Sequence, residues 1–195
     1  PADLAHLAQT SEGWFSAVYL NLKAYQAHGT LLTSGHDIYE MLNEAMLDPL
    51  PQERVDFLAR MSLADEFTAE QAAFVTGLAE SRELVRALTE SNAFLRRLPD
   101  GQNYRLHHMM KECLGRRFRE YPSEEQRLVR CRHGAWYERQ GEYLRAFHFY
   151  LQAGDDASVL RLIDVDTGLQ MAGLTPQKLL SWLAQCREEA LLTAP

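Results

Sequence analysis

The chain has 195 residues, 46% of them hydrophobic and 24% charged, with a mean hydropathy of -0.33; this is a folded globular composition with room for one generous domain or two modest ones. No apolar run approaches the ~18–20 residues that cross a bilayer, and no basic flank with an apolar core opens the chain, so membrane insertion and secretion are excluded as first readings. Lys and Arg total 20 against 27 Asp and Glu, and the net charge of -7 disfavours non-specific contact with phosphate backbones.

The three cysteines, Cys113, Cys131 and Cys186, are odd in number and form no CxxC, which suits free thiols in a reducing compartment. A cytoplasmic location is the expectation. The first residue is Pro1 rather than Met, so the chain reads as a piece of a longer protein.

Apolar residues recur at helical spacing through most of the chain, which predicts a mainly α protein. Trp14, Ala17, Val18, Leu22 and Tyr25 make the stripe of a first helix ending at Gly29, and a loop runs from Thr30 to His36. From Asp37, the spacing of Ile38, Met41, Leu42, Ala45 and Met46 predicts a second helix, broken by Pro49-Leu50-Pro51. Pro51 suits the first position of the next helix, which carries Val55, Leu58 and Ser62. Thr68 and Gln71 have capping-box spacing for a helix closing at Gly77, and Ser81 starts another with Leu84, Val85 and Leu88.

The period then changes. Phe94 to Leu98 and Tyr104 to Leu106 flank the turn-forming run Pro99 to Asn103, predicting a short β-hairpin. Helix resumes near His107 with Met110, Cys113, Leu114 and Phe118 on one face. Three helices, a hairpin and a closing helix over Pro51 to Arg119 are the order of a winged helix.

Beyond Pro122, Ser123 and Gln126 suggest a second capping box on a helix running to Gly141, followed by a helix of about eleven residues stopping near Gly154. Gly134, Tyr137, Ala146, Tyr150 and Ala153 fall at the small and aromatic positions of a tetratricopeptide (TPR) unit. Arg130, His133 and Ser158 stand where such a unit has Trp, Leu and Pro, so the repeat is degenerate. Asp155 caps a further helix, and Thr175-Pro176 starts a last one with Leu179, Leu180 and Leu183 expected to be buried. A single repeat leaves an apolar face uncovered, so a solenoid is expected to begin here.

Thr10-Ser11-Glu12-Gly13-Trp14, Leu50 to Leu58 leading to Ser62-Leu63, Leu88 to Leu95, Tyr104 to His108, and Trp136-Tyr137 through Gly141 to Ala153-Gly154-Asp155 occur in an order and spacing that resemble one family. This is the group of large LuxR-type, ATP-dependent transcriptional regulators related to the maltose regulator MalT, of the STAND class of signalling ATPases. The resemblance implies that residues 1–36 end the helical lid of a nucleotide-binding module, 37–121 form a winged helix, and 122–195 begin a TPR-like sensor. It further implies an upstream nucleotide-binding oligomerisation module as intramolecular partner, an inducer or protein on the helical repeats, self-association of the parent, and DNA contact through a separate C-terminal domain.

No G-x-x-x-x-G-K-[ST] is present. The chain is therefore expected to be no enzyme by itself and to hold no cofactor, ATP and ADP belonging to the parent protein. By resemblance, His107 reaches the β-phosphate of ADP in a closed resting state, a contact whose strength grows if the imidazole is protonated. Gly13 and Trp14 lie where the family packs its lid on adenine, with Phe15 in place of the usual proline. His108 would face elsewhere on its helix.

Nine cations and four acids lie between Arg82 and Arg119. Two readings follow: a docking surface for an acidic neighbour, or a DNA-reading face using Arg82, Arg86, Arg96 and Arg97. Cys131 and His133 do not converge on a helix, so no metal is expected, and no Ser sits in a nucleophile elbow, so no catalytic residue is expected. The function implied is regulatory: coupling an inducer sensor to a nucleotide module. The alternatives are a stand-alone winged-helix DNA-binding regulator and a helical-repeat interaction scaffold.

Overall fold

A computed structural model describes residues 39–40, 43–90 and 95–166, with Leu180, Ser181, Ala184 and Cys186 beyond them. The expected first helix with Gly13, Trp14 and Phe15, the loop from Thr30 to His36 and the start of the last helix at Thr175 lie outside the described residues. The described residues fall into two compact units, one running through Ala72 and resuming over Ala79–Phe118, the other comprising Ala73–Leu78 and the described residues from Arg119 on.

In the first unit Tyr39 and Glu40 are α-helical, within the helix expected from Asp37, and Asn43–Leu47 forms a π-helical turn where a continued α-helix was expected. Its signature is the Asp48 amide donating to the Asn43 carbonyl at 2.8 Å, five residues back. Pro49 and Pro51 have no amide to extend the ladder. Helix α1, Gln52–Met61, begins one residue later than the proline suggested, because Pro51 is its N-cap rather than its first residue. It buries Val55, Phe57, Leu58, Ala59 and Met61, and the Ser62 hydroxyl behind it donates to the Ala59 carbonyl at 2.7 Å.

Helix α2, Ala69–Thr76, starts where Thr68 Oγ1 accepts the Gln71 amide at 3.1 Å and stops at Gly77, whose φ of 77° suits a residue without Cβ. Helix α3, Ser81–Glu90, turns Ser81, Val85 and Leu88 inward and its arginines outward. Strands β1, Leu95–Arg97, and β2, Tyr104–Leu106, pair antiparallel with Leu95 opposite Leu106, Arg96 opposite Arg105 and Arg97 opposite Tyr104. The turn between them is held by Asp100, whose carboxylate accepts from the amides of Gln102 and Asn103, both at 2.9 Å, and from the Asn103 side chain at 2.8 Å.

Phe67 bridges the far side of β2, exchanging backbone hydrogen bonds of 3.0 and 2.9 Å with Tyr104. Helix α4, His108–Arg119, closes the unit and buries Met109, Met110, Cys113, Leu114 and Phe118. The expected sequence of three helices, hairpin and helix is therefore present.

In the second unit, helix α5, Ser123–Arg139, begins one residue earlier than the capping box requires. Pro122 is the N-cap and gives no side-chain cap; Gln126 Nε2 instead donates to the carbonyls of Arg119 at 2.9 Å and Tyr121 at 2.8 Å. A short turn through Gly141, φ 73°, leads to helix α6, Tyr143–Ala153, which ends on left-handed Gly154. Helix α7, Asp156–Asp166, follows Asp155, whose carboxylate accepts the Ser158 amide at 3.3 Å.

Tyr137, Ala146, Phe147, Tyr150, Val159, Leu162 and Cys186 form this unit's core. Phe149 stacks with both His133 and Tyr137, at centroid distances of 4.8 and 5.5 Å. Leu180 is 64% exposed rather than buried; Leu179 and Leu183 lie outside the described residues.

Candidate functional site

His107 is the single residue between β2 and α4. Its carbonyl accepts the Lys111 amide at 2.8 Å, which makes it the residue that enters the helix. The first amides of α4 lack intrahelical acceptors, and the aligned peptide dipoles make this end partially positive. The His107 side chain there is half-buried, and a helix start is in general a place that suits an anion. His108 behaves differently: it is exposed, with Nε2 3.4 Å from Glu112 Oε1, and Glu112 also accepts the Tyr39 hydroxyl. His107 thus precedes the helix, whereas His108 is its first residue.

The local excess of positive charge between Arg82 and Arg119 is largely cancelled by carboxylates that lie outside that stretch. Glu70 pairs with Arg82, Glu66 with Arg105, Asp65 with Lys111 and Asp48 with Arg117, while Glu90 pairs with Arg86 inside it. The Glu70 carboxyl is held below its usual range first by its own backbone amide and then by Thr68 and Arg82. Arg97 donates to the Gly101 carbonyl, and Arg116 lies over the Tyr39 ring at 3.8 Å. Arg96 is exposed and has no carboxylate partner among the described residues. Across residues 43–121 there are eleven Lys and Arg against thirteen Asp and Glu.

Of the four arginines named for a DNA-reading face, Arg82 and Arg86 lie on α3 and Arg96 and Arg97 on β1. The exposed ion pairs contribute only about 0–1 kcal/mol each to stability; their larger effect is on the surface field. The sequence reading missed Asp48, Asp65, Glu66 and Glu70 because it counted charge along one stretch of chain.

A second polar cluster ties the helices of the second unit together. Glu138 on α5 accepts the Tyr150 hydroxyl at 2.8 Å and both terminal nitrogens of Arg161, one of them at 2.9 Å. Arg161 and Tyr150 hold the Glu138 carboxyl below the usual carboxylate range despite its partial burial. Burial, then Glu138, pushes the Tyr150 hydroxyl well up. Arg132 donates to the Val75 carbonyl at 3.1 Å, and Phe74 packs on Trp136, with the Arg139 guanidinium 4.9 Å from the centre of the Phe74 ring. The Glu138 bonds join α5, α6 and α7 through one carboxylate.

Among the described residues, no group of three His, Cys, Asp or Glu is placed to hold a metal ion. Cys113 and Cys186 are buried, Cys131 is half-buried, and all three are free thiols. Burial followed by the Asp155 carboxylate raises the Cys131 thiol, and burial followed by Asp156 raises Cys186, which makes both poor nucleophiles. No described helix is long and apolar enough to cross a membrane.

With three helices, a hairpin bridged by Phe67 and a closing helix in place, the comparison with known proteins is decisive for this segment: residues 43–127 match the family described as the MalT winged helix domain. The chain carries a MalT winged helix domain. It is also similar to the serine/threonine-protein kinase PknK of Mycobacterium tuberculosis (strain ATCC 25618 / H37Rv), 28% identical over 173 residues, or 85% of this chain and 16% of that protein. A second relative is the HTH-type transcriptional regulator MalT of Vibrio campbellii, 26% identical over 174 residues, or 83% of this chain and 19% of that protein. The chain thus spans less than a fifth of the length of these curated relatives, and the similarity is that of a MalT-like middle region.

Proposed function

We propose that this chain is the regulatory middle of an ATP-dependent, LuxR-type transcriptional regulator of the STAND class. It couples a TPR-like inducer sensor, begun by α5 and α6, to a nucleotide-binding oligomerisation module. The observation that carries this reading is the MalT winged helix domain match over residues 43–127, which runs into the first turn of α5 and so into the α5–α6 helical hairpin. In this reading the protein works in the cytoplasm, and DNA is contacted only by a separate domain.

His107 supports the same reading. ADP is the parent's nucleotide, and the resting state is held when this imidazole donates to its β-phosphate. Its place at the positive end of α4 fits an anionic group. Gly13 and Trp14 are proposed on the adenine side, with Phe15 altering the packing there. The winged helix docks on the nucleotide module in one state and releases it in the other. The chain alone is proposed to have no enzymatic activity and no tight nucleotide binding, since the P-loop belongs to the module it docks on.

Calorimetric titration of ADP and ATP into the 195-residue chain and into its full-length parent tests this. The expected result is heat of binding for the parent only. Micromolar binding by the chain itself, or a parent without a P-loop and a LuxR-type helix-turn-helix, overturns the reading. The DNA-regulator alternative gains nothing from a domain whose acids outnumber its cations.

A further inference from the structure

A winged helix offers its third helix and its hairpin to a nucleic acid, and this one carries cations at both. Arg82 extends from α3, Arg105 from β2 and Lys111 from α4, far apart in sequence but gathered by one short acidic segment. Within the six residues Asp65 to Glu70, Asp65 takes Lys111, Glu66 takes Arg105 and Glu70 takes Arg82. The segment is held in place by bonds of its own. Phe67 exchanges two backbone hydrogen bonds with Tyr104, the neighbour of Arg105, and Thr68 caps α2 through Gln71.

Each of these cations is thus occupied by a carboxylate of the chain itself. Nearby, Arg96 faces Arg105 across the hairpin without a carboxylate of its own among the described residues, so a further cation adjoins the covered ones. Exposed pairs of this kind give little stability. Asp65 is 94% exposed and Glu70 58%, so they are readily exchanged for other anions. What the arrangement changes is the release of counterions that drives phosphate binding: a cation held by the protein's own carboxylate does not neutralise a phosphate, so the nucleic acid keeps its condensed counterions.

We propose that the Asp65–Glu70 segment is a built-in charge cap, which keeps this winged helix off nucleic acid by occupying Arg82, Arg105 and Lys111. The inference goes beyond the regulatory reading above and does not depend on a nucleotide module, because it concerns only residues of this chain.

The test is titration of a fluorescent random-sequence duplex of about 20 base pairs with the 195-residue chain at several salt concentrations. The unaltered chain is expected not to bind at ~50 mM salt. The variant Asp65→Asn/Glu66→Gln/Glu70→Gln is expected to bind, with log K falling against log salt at a slope of about -3, one unit for each cation released to a phosphate. Adding Arg105→Gln to that variant should make the slope less steep, at about -2.

A control variant, Glu44→Gln/Glu53→Gln/Glu120→Gln, makes the same change in net charge at exposed acids. It should leave the duplex unbound. Equal binding by the control, binding by the unaltered chain, or no binding by a folded cap variant each overturns the proposal. Circular dichroism checks folding. If the triple variant unfolds, Asp65→Asn/Glu70→Gln is measured in its place with an expected slope of about -2, and absence of binding there is equally decisive.

Discussion

A Cβ placed on Gly134 would lie 2.8 Å from Cε1 of Tyr150. Helix α5 therefore approaches α6 as closely as it does because residue 134 has no side chain, and the Tyr150 ring fills the space. That ring cannot swing aside freely, since its hydroxyl is tied to Glu138.

Gly134→Ala is expected to destabilise the second unit. Overpacking costs about 1–3 kcal/mol, whereas the gain in helix propensity from Gly to Ala is about 1 kcal/mol, so the net loss should be up to about 2 kcal/mol. Urea unfolding followed by circular dichroism measures it. If the clash is the cause, Gly134→Ala costs little in a Tyr150→Ala background; an additive double variant would place the cause elsewhere.

The Glu138 cluster sets a pH dependence. Its carboxyl titrates below the ordinary value near 4.5 in the folded chain, so the stability it contributes is complete above that value and is lost as pH falls through the lower folded one. Between about pH 5 and pH 3, Glu138→Gln should show a flatter stability profile than the unaltered chain. Tyr150 has the opposite sense: its folded hydroxyl titrates above the ordinary value near 10, so stability declines as pH rises beyond 10, and Tyr150→Phe should remove that decline. Parallel profiles for variant and unaltered chain would show that the cluster is electrostatically neutral.

Thr68→Ala removes the acceptor for the Gln71 amide at the start of α2. A lost N-cap of this kind costs roughly 0.5–2 kcal/mol. Thr68→Ser keeps the oxygen and should recover most of it. If Ser and Ala are equally destabilising, the hydroxyl bond is not what Thr68 contributes.

His107→Ala in the full-length parent is expected to loosen ADP retention and to raise activity without inducer. A charge-assisted contact is worth about 1.5–3 kcal/mol, which is roughly one to two decades in an equilibrium constant, and losing it from one state alone shifts the population toward the other. His108→Ala, whose side chain pairs with Glu112, should change neither. ADP off-rate and basal transcription are the readouts, with thermal unfolding as the check on folding. An unchanged off-rate in well-folded His107→Ala protein returns this residue to a packing role.

Local chemistry alone determined the order of elements. Thr68 and Asp155 mark helix starts because each oxygen accepts an amide three residues ahead, and Gly77, Gly141 and Gly154 mark stops because each adopts a left-handed φ. The hairpin was legible because Pro99 to Asn103 separates two short strands, and Asp100 closes that turn within its own neighbourhood. Where two local signals compete within one residue of each other, as at Pro51 and at Pro122-Ser123, the sequence leaves the helix start open; here the prolines took both caps. Tertiary structure alone decided the rest. Glu70 meets Arg82, Glu66 meets Arg105 and Asp65 meets Lys111 across separations of 12, 39 and 46 residues, and no periodicity encodes such pairs. A stretch that is basic along the chain becomes matched in space, because electrostatic neutralisation depends on through-space distance rather than on position in the sequence.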